Sequence, residues 1–314
     1  MVQKIILDTD IGDDIDDAYA LALVLASPEV ELLGITTVFA NTCARGRQAQ
    51  TLLKIAGREE IPVAAGCGAV ISPRIIYGEK NLNYKKRPVQ SATFWYLNNV
   101  RPHQYDSCLP EAELPALYKD HAVKFLIDTL LVGDGKIIPV TIGAMTNLAM
   151  ALIIEPKIAL KIPRIVSMAG AFDRHLSEWN IRCDPIAAAV VFNSGIPMTV
   201  VGLDVTTKCI FNQEHLNRLK ACNRPIAENL SKATKLWSGK YPVLHDPLAI
   251  ATIFKPDLVE TKNGTVSVEL NGNKTYGFTI FKEAEEEKPG PHDICVAVKS
   301  KEFLELWLGR VLQL

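Results

Sequence analysis

A dense group of aspartates near the start of the chain most constrains what this sequence can fold into. Residues 5–17 read IILDTDIGDDIDD, so six carboxylates follow a short apolar run within ten residues and precede a segment of helical spacing. Like charges at the end of a buried strand repel one another unless a cation lies among them. A hard divalent cation with oxygen ligands meets this need, whereas a solvated turn that caps a helix would need only one or two aspartates. We therefore expect a metal site at the end of this strand.

Composition narrows the class of protein. The chain has 314 residues, 48% of them hydrophobic, and its net charge of −1 provides no basic field to attract nucleic acid or an anionic membrane. It contains no apolar run long enough to span a bilayer and no signal-peptide pattern. Its seven cysteines are scattered without a C-x-x-C pair, which is typical of reduced thiols rather than a disulfide framework or a zinc site. We expect a cytoplasmic protein.

Strand-like and helix-like segments alternate over the first two thirds of the chain, which predicts an α/β fold with an open, mostly parallel sheet flanked by crossover helices. The predicted strands lie at 5–7, 30–38, 61–65, 137–142, 164–168 and 197–201. The predicted helices lie at 17–26, 44–56, 117–131, 147–154 and 185–192.

The remaining segments complete this prediction. Residues 66–107, rich in Pro, Asn, Lys and aromatic side chains, are expected to form an insertion or a mobile lid. A broken helix (212–236), a helix (245–254), a β-hairpin (265–270 with 276–281), a solvated charge run (283–288), a strand (294–298) and a helix (303–312) follow. No internal repeat or low-complexity linker is found, so we expect a single domain over residues 1–314.

Polar side chains follow several of the predicted strands, and in open α/β sheets the ligand site lies beyond the carboxyl ends of the strands. The candidates are the aspartate cluster, Asn41, the segment GAMTN at 143–147, the segment EWN at 178–180, and His245 with Asp246. Each alone fits a turn or a helix cap. Together they form a set that can bind a metal ion and a polyhydroxylated ligand. The sequence lacks a Walker loop, the third glycine of a dinucleotide loop, an H-E-x-x-H motif and the glutamate that closes an EF-hand.

The segment LDTDIG at 7–12, with the pair Asp16-Asp17, resembles the amino-terminal signature of the nucleoside hydrolases of the inosine–uridine-preferring type. Segments at 35–41, 61–66, 143–147, 178–180, 201–206 and 245–249 agree in order, so the resemblance spans nearly the whole chain. It implies calcium-dependent hydrolysis of the N-glycosidic bond of ribonucleosides to free base and ribose, in nucleoside salvage. It also implies a Rossmann-like sheet and a homodimer or homotetramer.

The resemblance also implies roles for individual residues. Asp10, Asp17 and Asp246 would be carboxylate ligands of calcium, and Thr146 would add its backbone carbonyl. Asp10 would also act as the general base, and His245 as the acid for the leaving base. The positions implied to contact the ribose are Asp16, Asn41, Met168, Glu178 and Asn180.

Two departures from the family pattern leave alternatives open. The turn at 13–15 is longer than usual in the family, so Asp14 is an alternative to Asp16 as the ribose contact. The segments 77–105 and 223–243 are variable, and base preference is not predicted. Trp179, Trp237 and Tyr241 are close in sequence to site motifs and could stack on the base, with core packing the favoured alternative for each. Trp237 and Tyr241 are taken as the stacking candidates.

Two other functions fit the same residues. In a metal-dependent phosphatase, Asp8 would be the nucleophile beside a magnesium ion. A non-enzymatic, calcium-dependent binder of nucleosides or sugars would use the same carboxylates without turnover. The hydrolase interpretation is preferred because breaking the bond between ribose and base builds an oxocarbenium-like charge, which a site dense in carboxylates stabilises.

Overall fold

The computed structural model describes residues 2–72 and 100–314, and a nine-stranded sheet runs through this part of the chain. The strands are β1 (Gln3–Thr9), β2 (Val30–Thr37), β3 (Val63–Ala65), β4 (Ile137–Thr141), β5 (Ile165–Met168), β6 (Met198–Val201), β7 (Val259–Val268), β8 (Thr279–Glu283) and β9 (His292–Val298). Their order is β3-β2-β1-β4-β5-β6-β9-β7-β8. The strands from β3 to β9 in this order are parallel, and β7 and β8 are antiparallel to their neighbours. This confirms the predicted α/β fold.

Helices cover both faces of the sheet. Within the described residues they are α1 (Asp16–Leu25), α2 (Thr42–Ile55), α3 (Ala122–Val132), α4 (Thr146–Ile154), α5 (Trp179–Cys183), α6 (Pro185–Phe192), α7 (Leu203–Thr206), α8 (Gln213–Ala221), α9 (Pro225–Leu236), α10 (His245–Phe254) and α11 (Ser300–Val311). Short 3₁₀ turns lie at Tyr105–Ser107, Glu111–Glu113, Pro156–Lys161 and Pro256–Leu258. None of these helices combines the length and apolar character needed to cross a membrane.

Strand β1 is buried on both faces because its side chains alternate between two apolar clusters. Ile5 and Leu7 pack on one side with residues of α1, α10 and α11, whereas Ile6 packs on the other side with residues of α3, α4 and α6. On the first side the ring of Tyr19 stacks on Trp307 with a centroid separation of 4.7 Å. The indole Nε1 of Trp307 also donates to the Tyr19 carbonyl at 3.0 Å.

The strand order reverses between β1 and β4, and this reversal positions the site. The chain leaves β1 toward β2 and β3, but it leaves β4 in the opposite direction toward β5 and β6. The connecting helices α1 and α2 lie on one face, and α4 and α6 lie on the other. A crevice therefore opens between the carboxyl ends of β1 and β4, where ligands bind in sheets of this kind.

Several predicted elements differ in extent from those observed. The hairpin is present, but its strands pair from Val268 opposite Thr279 to Gly264 opposite Glu283, so the loop is longer than predicted. The helix expected at 117–131 begins only after His121, whose ring accepts a hydrogen bond from the Val123 amide as its cap. The short helices α5 and α7 were not predicted. Most of the expected insertion, at 73–99, lies outside the described residues.

Candidate active site

A cavity of about 180 Å³ lies at the carboxyl ends of β1, β4 and β5. Residues from six separate chain segments line it, which is why no single stretch of sequence defines the site. The lining residues are Asp10, Asp13, Asp14, Asp16, Asp17, Ile142, Met168, Glu178, Trp179, Asn180, Leu203, His245 and Asp246. The two acidic segments that the sequence separates by more than two hundred positions therefore meet here.

Three buried carboxylates form a compact group in this cavity. Asp16, Asp17 and Asp246 each present an oxygen within 4.8 Å of the other two. Burial raises the pKa of each carboxyl well above its ordinary value, and the negative charges of neighbouring aspartates raise it further. Oxygen ligands at this spacing, buried and mutually repulsive, fit a hard divalent cation. We call these three residues the acidic trio.

Asp10 lines the same cavity as the acidic trio, and the segment that follows β4 packs closely against it. A Cβ at Gly143 would lie 2.9 Å from both the amide nitrogen and Oδ1 of Asp10, so only glycine fits there. Burial raises the pKa of Asp10 to about 6, although the positive charge of Arg45 opposes the rise. A carboxylate that titrates near neutrality suits a general base.

Asp8 supports this region from beneath the cavity. Its Oδ1 accepts hydrogen bonds from Thr36 Oγ1 at 2.6 Å and from Asn147 Nδ2 at 2.7 Å. Asn147 also donates to the Thr37 carbonyl at 3.0 Å and accepts from the Cys67 amide at 2.8 Å. The ends of β1, β2 and β3 are thereby tied to the start of α4. Asp8 is not among the residues that line the cavity, whereas the phosphatase alternative needs it there as the nucleophile.

Glu178 and Asn180 form another part of the cavity wall. Glu178 caps α5, and its carboxylate accepts from the Asn180 amide at 2.7 Å and from the Gly170 amide at 3.1 Å. Burial raises the pKa of Glu178 to about 7. Asn180 Nδ2 donates to the carbonyls of Ile142 at 3.0 Å and Met168 at 3.1 Å, which holds the ends of β4 and β5 together.

His245 begins α10 and lines the cavity beside Asp246. Its Nδ1 shares a hydrogen bond with Thr206 Oγ1 at 2.7 Å, so the ring is oriented from behind. Burial lowers the pKa of His245 to about 4, and the imidazole is therefore neutral at neutral pH. In this state the ring can donate a hydrogen bond through one nitrogen only.

Comparison with known proteins identifies the family. The model of the inosine-uridine preferring nucleoside hydrolases matches residues 5–305. The chain belongs to this family. The inosine-uridine preferring nucleoside hydrolase of Crithidia fasciculata is 33% identical over 99% of this chain and 97% of that protein. The pyrimidine-specific ribonucleoside hydrolase RihA of Salmonella gallinarum is 32% identical over 99% of both. The structure of a purine-preferring ribonucleoside hydrolase from Gardnerella vaginalis has a TM-score of 0.80 at 28% identity, covering 99% of this chain and 98% of that one.

Family membership makes this chain a hydrolase that acts on N-glycosyl compounds. The predicted fold and enzyme class are thereby confirmed. Of the predicted site residues, eight line the cavity of this nucleoside hydrolase: Asp10, Asp16, Asp17, Met168, Glu178, Asn180, His245 and Asp246.

The structure places the predicted ligand Thr146 and the predicted ribose contact Asn41 outside this lining, within the described part of the chain. Thr146 Oγ1 donates to Asp184 at 2.8 Å, and because Thr146 is the first residue of α4, its carbonyl belongs to the helix. At this strand end it is Ile142 that faces the cavity of the nucleoside hydrolase. Asn41 caps α2, its Oδ1 accepting from the Ala44 amide at 3.1 Å.

The two predicted stacking residues, Trp237 and Tyr241, are likewise not among the lining residues that the structure describes. Both are partly buried against the larger apolar cluster, and Lys240 Nζ lies 5.1 Å from the centre of the Tyr241 ring. Trp179, for which the sequence favours core packing over stacking, lines the cavity and is 50% exposed. The signal in the sequence for Trp179 is its position between the predicted ribose contacts Glu178 and Asn180.

Proposed function

We propose that this nucleoside hydrolase cleaves the N-glycosidic bond of ribonucleosides with water, in a calcium-dependent reaction that yields free base and ribose for salvage. The observation that carries the proposal is the acidic trio, which lies in a small cavity together with Asp10, Glu178 and His245. The calcium dependence and the salvage role rest on this donor set and on the family resemblance.

The cation would be held by the carboxylates of Asp17 and Asp246 together with Asp10 or Asp16. The trio includes Asp16, whereas the resemblance implies Asp10. Ile142 is the residue of the β4 end that reaches the cavity, so we assign to it the backbone contact first predicted for Thr146. A bound calcium ion supplies positive charge that lowers the pKa of a coordinated water. Asp10, whose carboxyl titrates near neutrality, takes the proton from the attacking water.

The sugar would lie between the acidic trio and the wall formed by Glu178 and Asn180. As the bond to the base breaks, positive charge builds on the ribose, and surrounding carboxylates stabilise it more than they stabilise the neutral substrate. Glu178 already accepts hydrogen bonds from three backbone amides, so its orientation is set before substrate binds. It needs no reorganisation to accept a ribose hydroxyl.

His245 is proposed to interact with the leaving base. The neutral imidazole, oriented by Thr206, can donate a hydrogen bond to a ring nitrogen or a carbonyl of the base. This donation stabilises the charge that the base acquires as it departs. Trp179, exposed at the cavity, is the described aromatic residue that is positioned to pack on the sugar or the base.

Base preference is not settled by family membership, because the relatives named above are inosine-uridine preferring, pyrimidine-specific and purine-preferring. A cytoplasmic location, a single domain and a homodimer or homotetramer remain predictions.

One incubation tests the proposal. The protein, stripped of metal, is incubated with a panel of purine and pyrimidine nucleosides with added calcium or with chelator, and products are separated by chromatography. We expect free base and ribose with calcium and at least a tenfold loss with chelator. Phosphate release from phosphomonoesters without nucleoside cleavage would support the phosphatase, and saturable nucleoside binding without turnover would support the binder.

Two isosteric variants separate the roles of the neighbouring aspartates. Asp10→Asn should reduce turnover about 10²–10⁴-fold, the usual contribution of a general base, while nucleoside still binds. Asp16→Asn should weaken calcium affinity if Asp16 is a ligand, but should instead raise KM if it contacts the ribose. Unchanged turnover in Asp10→Asn would show that Asp10 is not the general base.

A further inference from the structure

We propose that Arg45, a residue of α2 that does not line the cavity, is the positioning residue for the acidic loop of residues 10–17. The inference deepens the proposed function, because this loop carries Asp10 and two members of the acidic trio. It assigns to Arg45 the task of holding the loop in one conformation before any metal or nucleoside binds.

Arg45 is completely surrounded by the loops that it connects. Its side chain is 1% exposed, although arginine is almost never fully buried unless it is paired. Nη1 donates to the carbonyl of Asp10 and, at 3.0 Å, to that of Ile11. Nη2 donates to Asp13 Oδ2 at 2.7 Å. One planar guanidinium therefore donates hydrogen bonds to three residues of the acidic loop, Asp10, Ile11 and Asp13.

The same guanidinium reaches a second loop. Its Nε donates to the Phe39 carbonyl at 2.7 Å, at the end of β2. Phe39 and Ala40 have φ angles of 66° and 60°, in the left-handed region that non-glycine residues rarely adopt. Two such residues in succession persist only where surrounding contacts stabilise the strained backbone, and the hydrogen bond from Arg45 is one of these contacts. Arg45 thus connects the strained end of β2 to the end of β1.

A second contact holds the acidic loop from its other side. The amide of Gln104 donates to the Gly12 carbonyl at 3.0 Å, and its side-chain Nε2 donates to the Asp14 carbonyl at 2.6 Å. The carbonyl oxygen of Gln104's side chain accepts from Gln48, one turn from Arg45 on α2. The loop is therefore held between α2 and residue 104. Within its longer turn at 13–15, the departure from the family pattern, Arg45 contacts Asp13 and Gln104 contacts the Asp14 carbonyl.

These contacts define a positioning role rather than a catalytic one. The guanidinium is occupied by four acceptors, three of them main-chain carbonyls, so it has little left to offer a substrate. A lysine would keep the positive charge but lose the planar fork that reaches several carbonyls at once. Arg45→Lys therefore separates the fork from the charge.

Hydrogen exchange of the metal-free protein tests the proposal directly. In Arg45→Lys, amides in peptides covering residues 10–17 and 38–42 should exchange at least about tenfold faster, while peptides from β5 and β6 should keep the wild-type rate. The matched control is Arg47→Lys on the same helix, because Arg47 bonds to Gln50 at 3.0 Å and to the Pro115 carbonyl at 2.9 Å instead. It should leave both peptides within about twofold of wild type. Wild-type exchange in Arg45→Lys would overturn the proposal.

Calcium titration by calorimetry adds a functional reading. If Arg45 positions the loop, Arg45→Lys should bind calcium at least about tenfold more weakly than wild type and Arg47→Lys. Wild-type affinity in Arg45→Lys would overturn the coupling to the site. Absence of calcium binding in the wild type would instead contradict the proposed function. The hydrogen-exchange rates of the metal-free protein would still test the positioning role of Arg45.

A milder variant covers the case in which Arg45→Lys does not fold. Asp13→Asn removes the charge from a side chain that is half exposed and leaves the three carbonyl contacts intact. Faster exchange should then be confined to residues 10–17, with residues 38–42 unchanged. Wild-type exchange at 10–17 in this variant would also overturn the proposal.

Discussion

Replacing Asp246 by asparagine should make the metal-free protein more stable and the calcium-bound protein less stable than wild type. The Asp246 carboxylate lies within 4.8 Å of oxygens of Asp16 and Asp17. At that separation and an effective dielectric constant of about 20, Coulomb's law gives about 3.5 kcal/mol of repulsion for each ionised pair. The amide has nearly the same shape, so the substitution removes two such repulsions without opening a cavity.

Protonation reduces the gain that can be measured. The folded-state pKa of each carboxyl is raised, so the unfavourable term is absent at low pH and grows as the pH rises through the folded pKa. A carboxyl that keeps its proton is not repelled by its neighbours, and each unit by which its pKa is raised corresponds to a free energy of about 1.4 kcal/mol. Asp246 also loses its favourable place at the start of α10, worth at most about 1 kcal/mol. We expect a net gain of about 2 kcal/mol near pH 8, and less near pH 5.

Urea unfolding with chelator and with calcium measures both effects. Calcium at a hundred times its Kd should raise the free energy of unfolding of the wild type by about 2.7 kcal/mol. The rise should be much smaller in Asp246→Asn, because this variant lacks a charged ligand. Glu228→Gln, which removes an exposed carboxylate from the first turn of α9, controls for the helix dipole alone. An Asp246→Asn protein that is less stable than wild type in chelator near pH 8, or equally stabilised by calcium, would refute the reasoning.

Three further predictions concern the remaining parts of the site. His245→Ala should reduce turnover most with poorly departing bases and least with a nitrophenyl riboside, and equal losses on both would argue against a role at the base. Asp184→Asn should lower the free energy of unfolding by about 1–3 kcal/mol in urea, because the amide that it places opposite the Ile71 N–H cannot accept that hydrogen bond. Trp179→Ala should raise KM with little change in Tm, whereas Trp237→Ala should lower Tm with little change in KM. The reverse pattern would instead support Trp237 as the stacking residue and Trp179 as a core residue.

The parallel sheet and the position of the acidic site could be predicted because local chemistry enforces both. Apolar runs such as Ile5 to Leu7 are buried on two faces, and this produces the continuous pattern that distinguishes them from half-exposed strands. Aspartates directly after such a run have to lie at the carboxyl edge of the sheet. Asp10 and Asp17 therefore reached the cavity as predicted, and so did Asp246 at the start of α10.

The direction of single side chains could not be predicted from the same patterns. At the end of β4, Ile142 faces the cavity while Thr146, four positions later, turns its hydroxyl to Asp184. Asn41 follows β2 as expected, but its side chain accepts a hydrogen bond from the Ala44 amide in the first turn of α2. A helix cap and a ligand contact use the same residue types at the same element ends, so the sequence alone does not distinguish them.

Proximity in sequence to the site motifs did not predict which aromatic residue lines the cavity. Trp237 and Tyr241 are close in sequence to His245, but they pack against the larger apolar cluster. Trp179 follows Glu178 at the start of a five-residue helix that the apolar spacing does not reveal. Which aromatic residue reaches the cavity depends on this short helix, and therefore on tertiary packing rather than on local propensity.

The contact between Tyr19 and Trp307 has a consequence for the order in which the site is assembled. Asp16 and Asp17 begin α1, and the same helix is held by an indole that follows Tyr19 by 288 positions. Translation delivers Asp16 and Asp17 well before the partner that fixes their helix, which is made 288 residues after Tyr19. Two of the three trio carboxylates therefore lack this support until Trp307 has been made. Removal of α11 would disturb the site, although no residue of that helix lines the cavity.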